Sequence, residues 1–570
     1  MRYKKRLLFG FMFIVSGNFV QIINPQIIRM AIDYFKEDIV MSKLLTFAGL
    51  VILVTFVNGI FRFLMRRTVI VVSRFIENDL RNDLLTKLQT LSSTWFQTTG
   101  TGDIMSRLTN DLNSIRSVLG PGIMYSVNTF TTFVFVIIMM LKINSTLTMI
   151  ALLPVPIMAV MVNRFGQQIH KRYLAVQNHF GMISTKAQEN LAGMRIVKSY
   201  VLEESEIKDF NSLNKEYIKK NMDYARAYAG FHPSMMLIVG LSTAVILFFG
   251  GQLIIKNVIT LGEFVAFSLY LGMLVWPSIA LGWVAGIFMQ GTAALKRLNH
   301  ITQARPDIVD RPDVLTVKTI HGRVELKNLD FKYPGNEEQV LSDINLNIGE
   351  GQIIAVVGRT GSGKSTLIHL LTRTYNPPAD TVFIDGNDIH RVPVAILREF
   401  TGYIPQDTFL FSDTIRNNIA FGVNDVSQEE IEWAARMAQM HDSIIEFPNG
   451  YDTILGERGI NISGGQKQRI SLARAILKHP RILLLDDALS AVDTVTEEAI
   501  LTNLRTVMQD KTCLWVSHRI SSIMNADYII VLDNGRIIEQ GTHDELLEIN
   551  GLYADLFEKQ QLEASLEMTE

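Results

Sequence analysis

The sequence holds one cysteine in 570 residues, few charges, and no excess of either sign. The lone Cys513 cannot build a disulfide framework and suits a reducing compartment. Lys and Arg number 54 against 56 Asp and Glu, a net charge of −2, so no global basic field points to nucleic acid. Charged residues are only 19% of the chain and mean hydropathy is +0.20, which places part of it in lipid. The apolar runs all fall in the first half, while the second half has ordinary soluble composition. A chain of 570 residues is too long for one domain.

A membrane-crossing helix needs about 20 mostly apolar residues. Six segments qualify, near residues 7–32, 44–65, 121–142, 145–165, 229–255 and 262–290. The first carries Asn18, Gln21, Asn24 and Pro25, and polar residues within a span usually face a bundle interior or a wet cavity. The basic start, Arg2 to Arg6, followed by an apolar run has the outline of a secretory signal. That run continues too far, shows no small-residue cleavage site and is followed by further spans, so the sequence predicts a first membrane helix entered from the cytoplasm. Short turns near residues 33–43, 142–144 and 256–257 join the spans in pairs. Long polar stretches, helical in composition, separate span two from three and span four from five. They carry most of the positive charge, including Arg66, Arg67, Arg74 and Arg81 in the first and Arg164, Lys171, Arg172 and Lys186 in the second. The positive-inside rule places both stretches, and the N-terminus, in the cytoplasm. The helices are therefore expected to project beyond the bilayer and fold back near residues 97–102 and 189–193, forming elements that dock on a driving domain. A polar connector over 299–321, with Pro306 and Pro312, leads into alternating strands and helices, the pattern of an α/β fold. The expected organisation is a six-helix membrane domain over 1–300, a linker over 301–320 and an α/β P-loop domain over 321–570.

The second half carries the chemistry. Gly358-Arg359-Thr360-Gly361-Ser362-Gly363-Lys364-Ser365 follows the apolar strand 353–357 and opens a helix at Thr366. This is a P-loop in its required context, with glycines that let the backbone wrap phosphates and N–H groups facing the negative charge. Lys364 is expected on the β/γ-phosphates and Ser365 on Mg²⁺. Asp486 closes the apolar strand 482–486 as the second Mg²⁺ ligand. A further motif, Ile462-Ser463-Gly464-Gly465-Gln466, sets a serine and two glycines at a helix start. It reads as a second anion-binding nest, which a generic P-loop ATPase does not need.

These motifs, in this order, resemble an ATP-binding cassette transporter over essentially the whole chain, specifically a half-size exporter with its membrane domain ahead of the cassette. The resemblance implies that the signature of one cassette faces the P-loop of another, so that a second half-transporter completes the machine and two ATP molecules are held between subunits. It implies that Tyr333 stacks on adenine, and that Gln406 joins Mg²⁺ and water to the membrane domain. It further implies that residues 456–459 form the exporter-specific loop touching the coupling elements, that 490–493 form the D-loop, and that His518 contacts the γ-phosphate. A bacterial plasma membrane is the expected setting.

Two departures stand out. The family places Glu directly after the Walker B Asp as base or water-positioner, whereas this chain has Asp487. A catalytic base must lie within about 2.6–3.2 Å of its proton, and a misplacement of about 1 Å can cost on the order of 10²-fold. An intact signature beside a shortened base is the combination expected of a heterodimeric exporter, in which the partner is a different chain with a competent site. A homodimer that tolerates Asp487, a lipid flippase, or an ATP-gated channel or regulatory subunit are the alternatives; a soluble cassette ATPase is excluded by the spans. The second departure is that only about six residues precede span one, where many relatives have an amphipathic elbow helix. Substrate contacts are expected among cavity-facing residues such as Met273, Trp276, Trp283, Phe288 and Met289, for a hydrophobic or amphipathic drug, lipid or peptide. No acidic residue lies in the central parts of the later spans, which argues against a carboxylate for cationic drugs. Pro277 is a candidate hinge in span six. No protease-like or ligand-capture domain is indicated.

Overall fold

The computed structural model describes residues 3–36, 40–456, 459 and 461–567. It divides into two compact units, Met1–Gln89 with Thr101–Gln303, and Thr90–Gly100 with Ala304–Glu570.

In the first unit, six helices among the described residues are long and apolar enough to cross a membrane: Lys4–Phe35, Met41–Gln89, Thr101–Ile143, Ser145–Ala192, Glu203–Ile255 and Leu261–Gln303. In lipid the backbone must satisfy its own polar groups, and a helix does so within one segment. The 53-residue helix Glu203–Ile255 is about 80 Å long at 1.5 Å per residue, well over twice the ~30 Å hydrocarbon layer. Each expected span lies inside one of these helices. The sixth helix runs unbroken past Pro277 and on to Gln303. Residues 299–303 of the expected connector are therefore helical, because Leu298 and Ile301 on that last stretch are buried. Part of the turn joining helices one and two, residues 37–39, lies outside the described residues.

The chain reverses where expected. After the second helix a short helix, Ser93–Thr98, leads through Gly100 into the third. This segment belongs to the second unit, where Ser92 Oγ donates to Asp307 Oδ2 at 2.6 Å. The other reversal uses Gly193 to end the fourth helix, a short helix Met194–Ser199, and Val201 at φ 53°. The fifth helix then begins with Glu203, Glu204 and Glu206 in its first turn, where negative charge suits the exposed N–H groups.

The third helix widens to π turns at Arg107–Asp111 and Val118–Gly122. The second contains Pro121, whose missing N–H already breaks the normal ladder. The first presents the buried Asp111, which takes both arms of Arg297 from the sixth helix, Nε at 2.9 Å and Nη2 at 2.5 Å. Nearby, Glu77 of the second helix collects Arg74, Arg81 and Arg116. Helices two, three and six are thus tied by ion pairs outside the expected spans.

The second unit is built on two sheets. The first has the order β2 (Leu341–Ile348), β1 (Val324–Phe331), β4 (Val382–Ile384), β5 (Asn387–Asp388), all antiparallel. The larger runs β10 (Arg536–Gly541), β9 (Tyr528–Asp533), β3 (Ile353–Gly358), β8 (Thr512–Val516), β7 (Ile482–Asp486), β6 (Thr401–Ile404). Its pairs from β9 to β6 are parallel. Every residue of β7 and β8 is buried, as expected of parallel strands covered on both faces. Cys513 sits fully enclosed in β8, and burial pushes its thiol far above the usual range, so it is inert. The parallel strands deliver their C-terminal ends to one edge, where an open α/β sheet binds ligand.

Replacing Arg297 with Ala should lower the thermal midpoint of the detergent-solubilised protein. Buried Asp111 loses its bidentate partner, at a cost of about 1–2 kcal/mol once the half-exposed position of Arg297 is allowed for. Arg297→Ala combined with Asp111→Leu should recover most of the loss in the same melting assay.

Candidate functional site

At the C-terminal end of β3 the chain turns through residues 358–363 into the helix Lys364–Leu371. Gly358 and Gly363 have φ of 150° and 100°. A Cβ on Gly358 would lie 2.0 Å from the Leu532 carbonyl, so only glycine fits that approach. Lys364 folds back into the loop and donates to the carbonyls of Gly358 and Arg359, both at 2.8 Å. Burial pulls its ammonium below the ordinary lysine range, opposed by the charges of Asp486 and Asp487. Ser365 Oγ donates to Asp486 Oδ1 at 2.9 Å, joining the loop to the end of β7. Asp486 is itself raised above the usual carboxylate range, chiefly by burial and partly by neighbouring Asp487, against the Ser365 hydrogen bond.

A cavity of about 260 Å³ lies over this loop. Its lining brings together Thr360, Gly361, Gly363, Lys364, Ser365 and Thr366 with Gln406, Asp486 and His518. Gln406 follows β6 and His518 follows β8, so neighbouring parallel strands supply them. The buried Ser362 hydroxyl has no partner. A buried lysine held only by carbonyls, an unpaired hydroxyl and a serine–carboxylate pair fit a bound polyphosphate and its divalent cation.

Three sequence-selected residues lie off the lining of this cavity. Tyr333 does not line this cavity; its hydroxyl meets Thr366 Oγ1 at 2.9 Å and its ring packs edge-on against Tyr375 with centroids 4.9 Å apart. Asp487 also lies off the cavity lining, with φ 49°, a left-handed conformation that Asp tolerates. Its amide donates to the Val516 carbonyl at 2.9 Å, and its carboxylate accepts a long 3.4 Å contact from the His518 amide. The carboxylate is thus turned onto the loop that carries His518. The third is Ser463 with its motif, which lies apart from the cavity. Ser463 caps the helix Gly464–Leu477: its hydroxyl accepts from the Gln466 amide at 3.2 Å, and Gln466 Oε1 accepts from the Ser463 amide at 3.0 Å. A Cβ on Gly465 would lie 2.7 Å from the Ala491 carbonyl, so the glycine lets the 490–493 turn press against this helix. Gln468 fastens that turn, donating to Ser490 Oγ and accepting from the Ala491 amide. Glu457 and Arg458 of the expected exporter loop lie outside the described residues.

Sequence reasoning missed Gln560. It lies on the last helix, Leu552–Glu567, and grips the His518 loop at two backbone points. Its Nε2 donates to the His518 carbonyl at 2.6 Å, and its Oε1 accepts from the Ile520 amide at 2.8 Å. Both partners are main-chain atoms, so no motif marks the contact. In the first unit, Trp276 and Trp283 of the expected substrate contacts each line a cavity. Met273 packs against the helix core, and Phe288 and Met289 line neither of these cavities.

Residues 7–278 match the family model described as the ABC transporter transmembrane region, and residues 341–490 match the one described as ABC transporter. The chain is 35% identical over 568 residues to the multidrug resistance-like ATP-binding protein MdlA of Buchnera aphidicola, covering 99% of this chain and 97% of that protein. It is 37% identical over 489 residues to an ATP-dependent lipid A-core flippase of Syntrophus aciditrophicus, covering 86% and 81%. A solved structure of a bacterial Atm1-family ABC exporter with ATP bound superposes with a TM-score of 0.82 at 29% identity, covering 98% of each chain.

Two outcomes test this geometry. Asp486→Asn should stabilise the nucleotide-free protein at neutral pH. The raised native pKa means the folded state holds its proton more tightly than the unfolded state, so folding is penalised above that pKa and the penalty fades as pH falls through it. Melting curves of the two proteins should converge in acid, while divalent-dependent nucleotide binding is lost at every pH. Gln560→Ala should speed hydrogen exchange across 517–520 by about two- to tenfold, the loss of hydrogen bonds worth ~0.5–1.5 kcal/mol each.

Proposed function

The chain belongs to the ABC transporters, as a half-size exporter joining a six-helix membrane domain to an ATPase cassette, and we propose that it works in a heterodimer to expel hydrophobic or amphipathic compounds. ATP hydrolysis coupled to transport is the activity of the family. The proposal adds an asymmetry: the site on this chain's own P-loop binds Mg-ATP but turns it over slowly, while Ser463–Gln466 completes a competent site on a different partner chain. The membrane is proposed to be the bacterial plasma membrane, with the N-terminus and cassette cytoplasmic, in keeping with the basic residues between spans.

The observation that carries this reading is Asp487. Its side chain is one methylene shorter than the family's glutamate and is directed at the His518 amide instead of the cavity. Water attacks the γ-phosphorus of ATP and ADP leaves, and a bound Mg²⁺ would shield the phosphate charge. Lys364 is proposed to exchange two loop carbonyls for phosphate oxygens. Ser365, Asp486 and Gln406 are proposed to hold the cation, and His518 to donate toward the terminal phosphate. Tyr333 is proposed to turn its ring to adenine once Thr366 is engaged by phosphate. Only the orientation of the attacking water lacks its normal side chain, so binding outlasts hydrolysis. An ATP-gated channel would share that property but would show ATP-dependent conductance in place of substrate-stimulated turnover.

Steady-state ATPase activity of the purified chain, alone and with candidate partner half-transporters, tests the proposal. Alone, turnover should be negligible, and one partner should restore it. Asp487→Glu should raise turnover of the chain alone by up to about 10²-fold. Robust activity alone, little changed by Asp487→Glu, would establish a homodimer in which Asp487 suffices.

A further inference from the structure

The first unit contains a cavity of about 610 Å³ between helices one, two, three and six. That volume suits a drug-sized ligand. Phe13, Phe61 and Trp276 give it an aromatic wall, and Arg62 and Arg66 enter it from one face of the second helix, one turn apart. A second cavity, of about 590 Å³, shares Phe63, Arg66, Met124 and Tyr125 with the first, so the two form one cleft that continues past Arg67 to Trp283. Trp283 meets Tyr125 edge-on there, with centroids 4.9 Å apart.

The charges in this cleft are not balanced. No Asp or Glu lines either cavity. Arg62 makes one hydrogen bond, to the neutral Gln21 Oε1 at 3.0 Å. Among the described residues Arg66 and Arg67 have no ion pair or hydrogen bond. This contrasts with the ion-paired arginines a few turns further along the same helices, where Glu77 and Asp111 supply the carboxylates. A guanidinium cannot shed its proton. These guanidiniums are exposed, and beside aromatic rings at the end of a membrane span they are free to pair with an anion from outside the chain.

We propose that this cleft binds an amphiphile with an anionic head, carboxylate or phosphate, seated on Arg62 and Arg66, and an aromatic or acyl body laid against Phe13, Phe61 and Trp276. The inference rests on the exporter reading and gives it a substrate class. Two arginines one turn apart can divide the oxygens of one planar or tetrahedral head between them, a geometry a single lysine cannot reproduce. The same residues disfavour a cationic amphiphile, whose head would meet two positive charges and no carboxylate. The head belongs either to a phospholipid of the bilayer or to a free amphiphile.

The test uses the full-length protein in lipid nanodiscs without nucleotide, with 11-(dansylamino)undecanoic acid as probe and its methyl ester as the uncharged control. The acid should bind at least about tenfold more tightly than the ester, the worth of a charge-assisted hydrogen bond. Arg62→Gln with Arg66→Gln should abolish that difference while leaving ester binding within about twofold, and Arg66→Lys should keep part of it. Equal binding of acid and ester by the unaltered protein, or an unaltered preference in the double glutamine variant, overturns the proposal. Two lipid compositions identify the source: displacement of the probe as phosphatidylglycerol replaces phosphatidylcholine assigns the head to a lipid, and undiminished binding assigns it to a free amphiphile. ATP-driven movement of the probe, measured separately with the partner present, tests the exporter reading, so an empty cleft and a failed pump give different results.

Discussion

The hydrogen bond from Ser365 to Asp486 is the contact around which the soluble unit is arranged. It joins the start of the phosphate-loop helix to the end of a fully buried strand, and each side depends on the other. Asp486 is held against its own desolvation by this one donor and by the nearby Lys364 charge. Lys364 in turn is drawn into the loop by carbonyls that only the strained glycine turns can present. Negative oxygens would pair with the buried Lys364, and a divalent cation with Asp486. The parallel sheet makes the arrangement possible, because it lets β3, β6, β7 and β8 end side by side and aim their following residues at one cavity.

The loops that follow β7 and β8 are fastened from behind. Gln468 holds the Ser490–Ala491 turn and Gln560 holds the His518 loop, each by a side-chain amide reading main-chain atoms. Amides suit the task since one group donates and accepts at once. The loop that carries His518 is therefore connected both to Asp487 and, through Gln560, to the last helix. The acid turned toward this loop makes Asp487 a structural neighbour of His518.

The membrane unit follows a different economy of charge. Farther along the same helices, Arg81, Arg107 and Arg297 are matched by Glu77, Asp103 and Asp111. Closer to the lipid the cleft holds arginines with no acid facing them. Matched pairs fix the helices to one another, and the exposed, unmatched ones are free to meet an anion.

The sequence by itself determined the classes of structure: six helices, because lipid forbids unpaired backbone, and a P-loop cassette, because glycines, Lys364 and Ser365 recur at a spacing phosphate chemistry requires. It also located the chain reversals within a few residues, since Gly100 and Gly193 interrupt otherwise helical runs. The tertiary structure decided what depends on direction rather than identity. Asp487 reads as a base in the sequence, yet its left-handed backbone turns the carboxylate to an amide. Tyr333 is expected from the resemblance to stack on adenine, and the fold adds that its hydroxyl meets Thr366. Gln560 carries no motif because its partners are backbone atoms common to every residue. Arg66 counts in the sequence only toward the positive charge after span two and Arg62 carries no motif; the helices around them form a cleft without an acid. Which way a side chain points, and what stands opposite it, is set by packing between segments far apart in the chain, and linear order does not encode that directly.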